Sequence, residues 1–321
     1  MTDYTINSAG SSTTTFPENL EVGDKLIFNN TSTGRDGTIL DWTVPEDMGV
    51  RITAYGAQGG TGSREGEGGK GAKMQGHFEL EMGEEIEMLV GQKGSTDGNA
   101  EAPSGGGGTF VCRKDAENED DILVIAGGGG GYGVGNSTYY QDVAHAHTET
   151  WGKDGDGQDL ASPASSGGEN GEGAEGVGNR AAGGGGFYSD GGDGSNSNSG
   201  GHSFIRESER GYGGDGHGEG LAGYGGGGAV DNSTGWGAAA GGGGYSGGGG
   251  AYSDSDSDEA AGGGGGSYNN GDNQTNESGV NSGHGLVEIE ILSMGFSVTT
   301  QPATNVSFES ATLNGEIGGL E

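Results

Sequence analysis

Glycine dominates this chain, and it comes in runs: 105–108, 127–131, 183–186, 225–228, 241–244, 247–250 and 262–266. Each glycine loses more backbone entropy on folding than any other residue. With 81 glycines in 321 residues, the chain must recover that loss through backbone hydrogen bonds or remain a solvated linker. Polyproline II geometry, with three residues per turn and no internal hydrogen bonds, gives the folded alternative. Polyglycine strands in that geometry lack side chains, so neighbours can pack closely and exchange N–H···O=C bonds in several directions. A run of four or five residues would extend about 12–16 Å at 3.1 Å per residue. Linker glycines usually mix with serine, whereas these runs alternate with loops carrying aromatic residues. The expectation is therefore a bundle of short helices across 105–285.

The flanks read as β. Lys25–Phe28, 38–44, Val50–Tyr55, His77–Leu80, Glu85–Val90, Phe110–Val111 and Asp121–Ala126 form strand-like runs, and 285–292 forms a last one. In Val50–Tyr55, Arg51 and Thr53 alternate with apolar neighbours. The same period puts Glu85 and Glu87 outward and Ile86, Met88 and Val90 inward. Asp121–Ala126 is almost continuously apolar, as in a strand covered on both faces. Between 127 and 285 the β signal fades, leaving His202–Arg206 as a strand-like island. If the last strand pairs back with the first ones, it closes the domain. The expected organisation is an N-terminal segment with the first strand or strands at 1–37, a glycine-rich domain at 38–292 with strands at 38–126 and 285–292, and a separate tail at 293–321.

Asp and Glu number 48 against 13 Lys and Arg, a net charge of −35. Such a surface self-repels in dilute salt and is suited to strong salt, which points to a halophilic source; an ordinary acidic protein is the alternative. The balance argues against nucleic acid, whose phosphates need clustered cations. Cys112 has no partner for an intrachain disulfide, and its Thr-Phe-Val-Cys setting suits a small buried apolar residue. No apolar run approaches the roughly 20 residues of a membrane span, so no membrane insertion is expected. The opening residues lack the basic and apolar regions of a signal peptide.

In order along the chain, Val50-Arg-Ile-Thr-Ala-Tyr-Gly-Ala-Gln-Gly-Gly60, Gly66-Glu-Gly-Gly-Lys-Gly71, Leu89-Val-Gly-Gln-Lys-Gly94, Gly105-Gly-Gly-Gly-Thr-Phe-Val111 and Ile122-Leu-Val-Ile-Ala-Gly-Gly-Gly-Gly130 precede Gly200-Gly-His-Ser-Phe204, Gly262-Gly-Gly-Gly-Gly-Ser-Tyr-Asn269 and Val280-Asn-Ser-Gly-His-Gly-Leu-Val-Glu-Ile289. This ordered set resembles the glycine-rich domain in the ectodomains of anaplastic lymphoma kinase and leukocyte tyrosine kinase, a domain also found in microbial glycine-rich proteins. The resemblance implies a mainly β fold: a jelly-roll-like β-sandwich with an inserted bundle of polyglycine II helices. It does not carry receptor signalling, because the receptors' domain holds several cysteines and this chain has one. From Ser297 to Ile317 the chain resembles the first two strands of a fibronectin type III-like domain. Such a domain needs about 90–100 residues, so the expectation is either that the natural chain continues, the favoured reading, or that this end serves as a connector.

Chemistry-bearing motifs are sparse. His145 and His147 could chelate a transition metal, but no neighbouring ligand completes a set. Asp154, Asp156 and Asp159 have a loosely calcium-loop-like spacing, while loop position 12 falls at Ser165 instead of a bidentate Glu. Asp254, Asp256 and Asp258 alternate with serine. No cofactor is expected, a structural cation in these acidic loops being the one exception. His284, between glycines before the last strand, reads as a packing or capping residue. No defensible catalytic constellation or Gly-Lys-Ser/Thr phosphate loop is present, and no enzyme activity is expected.

Aromatics set among Gly, Ser and Asn have the composition of recognition loops, and Tyr and Trp faces stack on sugars. Tyr245, Tyr252 and Tyr268, beside glycine runs, read as wedges in the scaffold. Tyr139, Tyr140, Trp151 and Trp236 are the candidates for receptor contact. The function expected from these features is a virion structural adhesin, a tail-fibre or receptor-binding component of a tailed virus of a halophilic archaeon. Its loops also resemble in principle those of polyglycine-bundle adhesins on bacteriophage fibre tips. The expected partners are a host cell-surface glycan or glycoprotein and other virion tail or fibre proteins, with room for a homo-oligomer. The alternative is a haloarchaeal cell-surface or matrix adhesion protein.

Overall fold

The computed structural model describes residues 2–7, 16–17, 19–62, 66–95, 103–133, 138–157, 164–177, 180–194, 199–216, 221–230, 237–252, 260–295, 297–304 and 312–318. The protein is mainly β. In chain order its principal elements are β1 (Asp3–Asn7), β2 (Lys25–Asn29), β3 (Leu40–Thr43), β4 (Met48–Tyr55), β5 (Gly71–Leu80), β6 (Glu85–Leu89), β7 (Thr109–Arg113), β8 (Ile122–Ala126), α1 (Thr138–Ala144), β9 (Tyr268–Asn269), β10 (Glu277–Asn281), β11 (Leu286–Met294), β12 (Ser297–Thr304) and β13 (Thr312–Gly318).

Two sheets face each other in a sandwich-like arrangement. One has the order β1-β2-β11-β4-β5-β10, the other β9-β8-β7-β6-β3. β11 lies between β2 and β4, with Ile289 opposite both Leu26 and Ile52. The last strand of the glycine-rich region thus closes the sheet begun by the first ones. β1 and β2 belong to that same sheet, where β2 pairs the second edge of β11. One apolar cluster joins the sheets, with Phe28, Ile52, Met74 and Ile289 meeting Trp42, Ile86, Met88 and Val124.

The second face of the β9-β8-β7-β6-β3 sheet is covered as well. Leu89, Phe110, Cys112, Ile122 and Ile125 pack against Phe187, Phe204, Tyr224 and Tyr245 from the glycine-rich region. This cover overturns the outward placement of Glu87. Glu87 is buried because Arg210 reaches it from the covering layer, Nη2 to Oε2 at 2.6 Å, while the Arg210 guanidinium lies 4.7 Å above the Phe204 ring. The expected strand at His202–Arg206 is likewise not formed, and the chain turns there. Phe204 is inserted between Phe110 and Phe187, stacked on each at centroid distances of 4.9 and 5.6 Å, and this packing overrides the short β signal.

The glycine runs form the interior beyond that layer. Their amides donate in a repeating order to different neighbours. Gly262 and Gly265 donate to the carbonyls of Gly131 and Gly128, Gly263 and Gly266 to those of Gly249 and Ser246, and Gly264 to that of Val143. The same step of three recurs where Gly105 and Gly108 donate to Gly228 and Gly225, and where Gly241 and Gly244 donate to Ala182 and Gly185. Backbone polar groups that would be costly to bury unpaired are thereby satisfied without side chains. Side chains are sterically excluded at such contacts: a Cβ on Gly241 would lie 1.7 Å from the Gly248 carbonyl oxygen.

Among the described residues, cations pair with scattered carboxylates, and Lys25 and Arg51 share Glu290. Lys25 lies 3.6 Å from Glu290 and Lys73 2.7 Å from Glu277. Arg35 meets Asp215 at 3.1 Å, Arg113 meets Glu84 at 2.6 Å, and Arg51 and Arg206 pair with Glu290 and Asp190. β12 and β13 form their own antiparallel pair, with Val298 opposite Ile317.

Candidate functional site

The glycine runs hold one prominent loop system at 138–157. Its first element, α1, was expected as loop. Tyr140, Val143 and Ala144 recur at helical spacing and pack against Tyr132 and Ala261 of the scaffold. The Val143 and Ala144 carbonyls accept from Gly264 and Gly130. Tyr139 and Asp142, three residues apart, are left on the exposed side of the helix. Tyr139 is 60% exposed.

The returning segment is fastened by its backbone. Gly152 N–H donates to Gly168 O, Lys153 N–H to Gly264 O, and Gly155 N–H to Ser165 O, all within 3.0 Å. His147 Nε2–H donates to the Trp151 carbonyl, and the His147 and Trp151 rings meet edge-on at 4.1 Å. Trp151 is nevertheless 47% exposed, so its ring is positioned at one edge while the rest faces solvent.

Between α1 and this segment lies an open groove of about 620 Å³, lined by Tyr139, Asp142, Trp151, Lys153, Asp154 and Asp156 among others. The Tyr139 hydroxyl donates to Asp156 Oδ2 at 2.7 Å, which fixes the ring and raises its pKa. Asp154 Oδ1 accepts from Gly167 N–H at 2.9 Å. Lys153 Nζ donates to the Asp142 carbonyl at 2.5 Å; burial lowers its pKa, with the charge of Asp142 opposing that shift.

The structure therefore brings together Tyr139, Trp151, Asp154 and Asp156 from the sequence-based candidates. Tyr140 is turned toward the scaffold and meets Tyr139 edge-on at 5.1 Å. Trp236, Asp159 and the alternating Asp254, Asp256 and Asp258 lie outside the described residues. Sequence reasoning did not single out Asp142 or Lys153. The three-residue step from Tyr139 to Asp142 was the available signal, but it carries meaning only once the segment is known to be helical.

The two loop histidines have structural partners. His145 Nδ1 accepts from Lys70 N–H at 3.0 Å, and its pKa is lowered by burial and then by Lys153. Burial lowers that of His147 to about 4. Among the described residues no group of three or more His, Cys, Asp and Glu side chains is placed to hold a metal ion. Ser165, at the twelfth loop position, is buried; its hydroxyl donates to the Glu175 carbonyl at 2.6 Å and its backbone N–H to that of Gly250 at 3.0 Å. His284 Nδ1 accepts from Lys93 N–H at 3.2 Å. Among the described residues no helix is long and apolar enough to cross a membrane.

A scan against protein-family models finds none that matches this chain, and a search of curated proteins finds no match either.

Proposed function

We propose that this chain is a virion structural adhesin, a tail-fibre or receptor-binding component of a tailed virus of a halophilic archaeon. In this reading the domain is a jelly-roll-like sandwich carrying a polyglycine II bundle, which displays recognition loops to a host cell-surface glycan or glycoprotein. The observation that carries the reading is the step of three in the glycine amides, such as Gly262 and Gly265 donating to one neighbour and Gly263 and Gly266 to another. Three residues per turn is the polyproline II period. An interior held by backbone bonds leaves loop sequences free to vary, because loop side chains are not needed to fill it.

Two further features support the reading. The net charge of −35 suits a particle exposed to strong salt. The loop system at 138–157 presents exposed Tyr139 and Trp151 on a fastened backbone. Binding through many copies on one particle would turn a weak single contact into firm attachment.

The test is proteomics of purified particles from the source, together with binding of the isolated chain to whole host cells in high salt. Co-purification with capsid and tail proteins and saturable cell binding are expected. Recovery only in a cell-envelope fraction would replace this reading with a cellular adhesion protein.

A further inference from the structure

The groove between α1 and the 151–156 segment combines features that select a ligand class. Two exposed aromatic rings, Tyr139 and Trp151, provide flat apolar faces on an otherwise acidic surface. Such faces suit the C–H face of a pyranose ring. Neither ring is free to collapse inward: Tyr139 is tied to Asp156, and Trp151 is held edge-on by His147 over a hydrogen-bonded backbone. The groove is thus preformed, and its volume of about 620 Å³ falls in the range of small-ligand sites.

The polar lining narrows the choice. Asp142, Asp154 and Asp156 place carboxylates around the groove. Structural hydrogen bonds occupy Oδ1 of Asp154 and Oδ2 of Asp156, which leaves the other oxygen of each as an acceptor for a ligand donor. Carboxylates disfavour an anionic sugar, and the −35 charge of the whole chain adds to that. Lys153, held in the lining through the Asp142 carbonyl, offsets only one of these carboxylates, so the groove stays acidic. A ligand that donates from hydroxyls, carries no negative charge and offers an apolar face satisfies all of these conditions, and an uncharged hexose is the simplest such ligand.

The geometry points to this groove as a binding site for a neutral hexose glycan, with the sugar stacked on Trp151 and Tyr139 and its hydroxyls donating to Asp142, Asp154 and Asp156. The inference rests on the adhesin reading for its biological setting, while its test on the isolated chain does not depend on that setting.

The experiment is titration calorimetry of the full chain in high salt with maltotriose, cellotriose and mannotriose, alongside trigalacturonic acid. At least one neutral trisaccharide should bind, and trigalacturonic acid should bind more weakly. Trp151→Ala should weaken binding about tenfold or more, as expected for loss of a central aromatic anchor. Asp156→Asn, which retains an acceptor for the Tyr139 hydroxyl, should weaken it several-fold. Unchanged melting temperatures would establish that both variants fold. Absence of binding by every neutral trisaccharide, preference for trigalacturonic acid, or undiminished binding by both folded variants would overturn the inference. Host-cell attachment is scored in parallel. Attachment unaffected by Trp151→Ala would leave the adhesin reading standing and remove the groove from attachment, while the calorimetry alone decides whether it binds sugar. Trisaccharide binding without attachment would keep the groove and remove the adhesin reading.

Discussion

Replacing Gly241 by alanine tests whether the glycine runs are a packed interior or a linker. A Cβ at Gly241 would lie 1.7 Å from the Gly248 carbonyl oxygen and 2.4 Å from its carbon. Carbon–oxygen contacts below 3.0 Å are essentially never seen for a real Cβ, so the two runs must part by at least about 1.3 Å. Hydrogen bonds of 2.7–3.2 Å do not survive such a shift. The bonds at risk are Gly228 N–H to Gly241 O at 2.9 Å, Gly241 N–H to Ala182 O at 3.2 Å and Gly248 N–H to Gly242 O at 2.8 Å. Overpacking costs about 1–3 kcal/mol, and each lost bond adds about 1 kcal/mol or more when its groups stay buried. Alanine's smaller unfolded-state entropy returns only about 0.4–1 kcal/mol. The net expectation is a destabilisation of about 3–6 kcal/mol, a large part of a typical domain's stability. The control is Gly133→Ala, where the added Cβ meets the Ala260 oxygen at 3.3 Å and the Ala238 oxygen at 3.6 Å. It should stay within about 1 kcal/mol of the parent. Urea unfolding at fixed high salt, followed by the fluorescence of buried Trp42, reads both values from the midpoint. Equal midpoints for the parent and Gly241→Ala would refute the packed interior.

Three further outcomes follow from the buried polar groups. Arg210→Met should destabilise the fold by about 3–5 kcal/mol, because it strands Glu87; pairing it with Glu87→Met should recover much of that loss, and a double variant as unstable as the single one would refute the pairing account. His147 binds protons less readily when folded, with its pKa lowered to about 4 by burial. The unfolded chain therefore takes up the extra proton between pH 6.5 and about 4, and stability should fall as pH falls through that window; His147→Gln should flatten this part of the pH–stability curve in urea melts, and an unchanged curve would remove His147 as its source. Cys112 is fully enclosed and burial raises its thiol pKa well above the usual value, so an aromatic disulfide reagent should label it only on unfolding, and rapid labelling of the native chain would contradict the packing of the covering layer.

Much of the sandwich was legible because its strands carry their own period. Val287, Ile289 and Ile291 alternate with Glu288 and Glu290, and the structure buries that apolar set against both neighbouring strands. The pattern failed where one face of a strand is covered by something sequence-distant. Glu87 looks outward by alternation, yet Arg210 lies 123 residues away and neutralises it. Phe204 belongs to a short β-like stretch, but its ring completes the Phe110–Phe204–Phe187 stack, and that packing outweighs the local propensity. Helix α1 was illegible for a different reason. Seven residues with adjacent tyrosines and a valine carry little intrinsic helix preference, and the helix is held by Tyr132, Ala261 and two glycine amides that no local pattern reveals.

The candidate site shows the same division. Its aromatic members were visible as unusual residues in a polar loop, whereas their convergence depended on α1 and on the tethers of 152–155 to Gly168, Gly264 and Ser165. Those tethers link the glycine interior to the groove: the Gly264 amide holds α1 through Val143 O, while its carbonyl holds the opposite wall through Lys153 N–H. One scaffold residue thus fixes both sides. A Cβ there would lie 2.3 Å from the His145 carbonyl oxygen, so the close packing that excludes side chains from the interior also sets the spacing between Tyr139 and Trp151. Loop composition selects which groups face a ligand, and the backbone-bonded interior determines how far apart they stand.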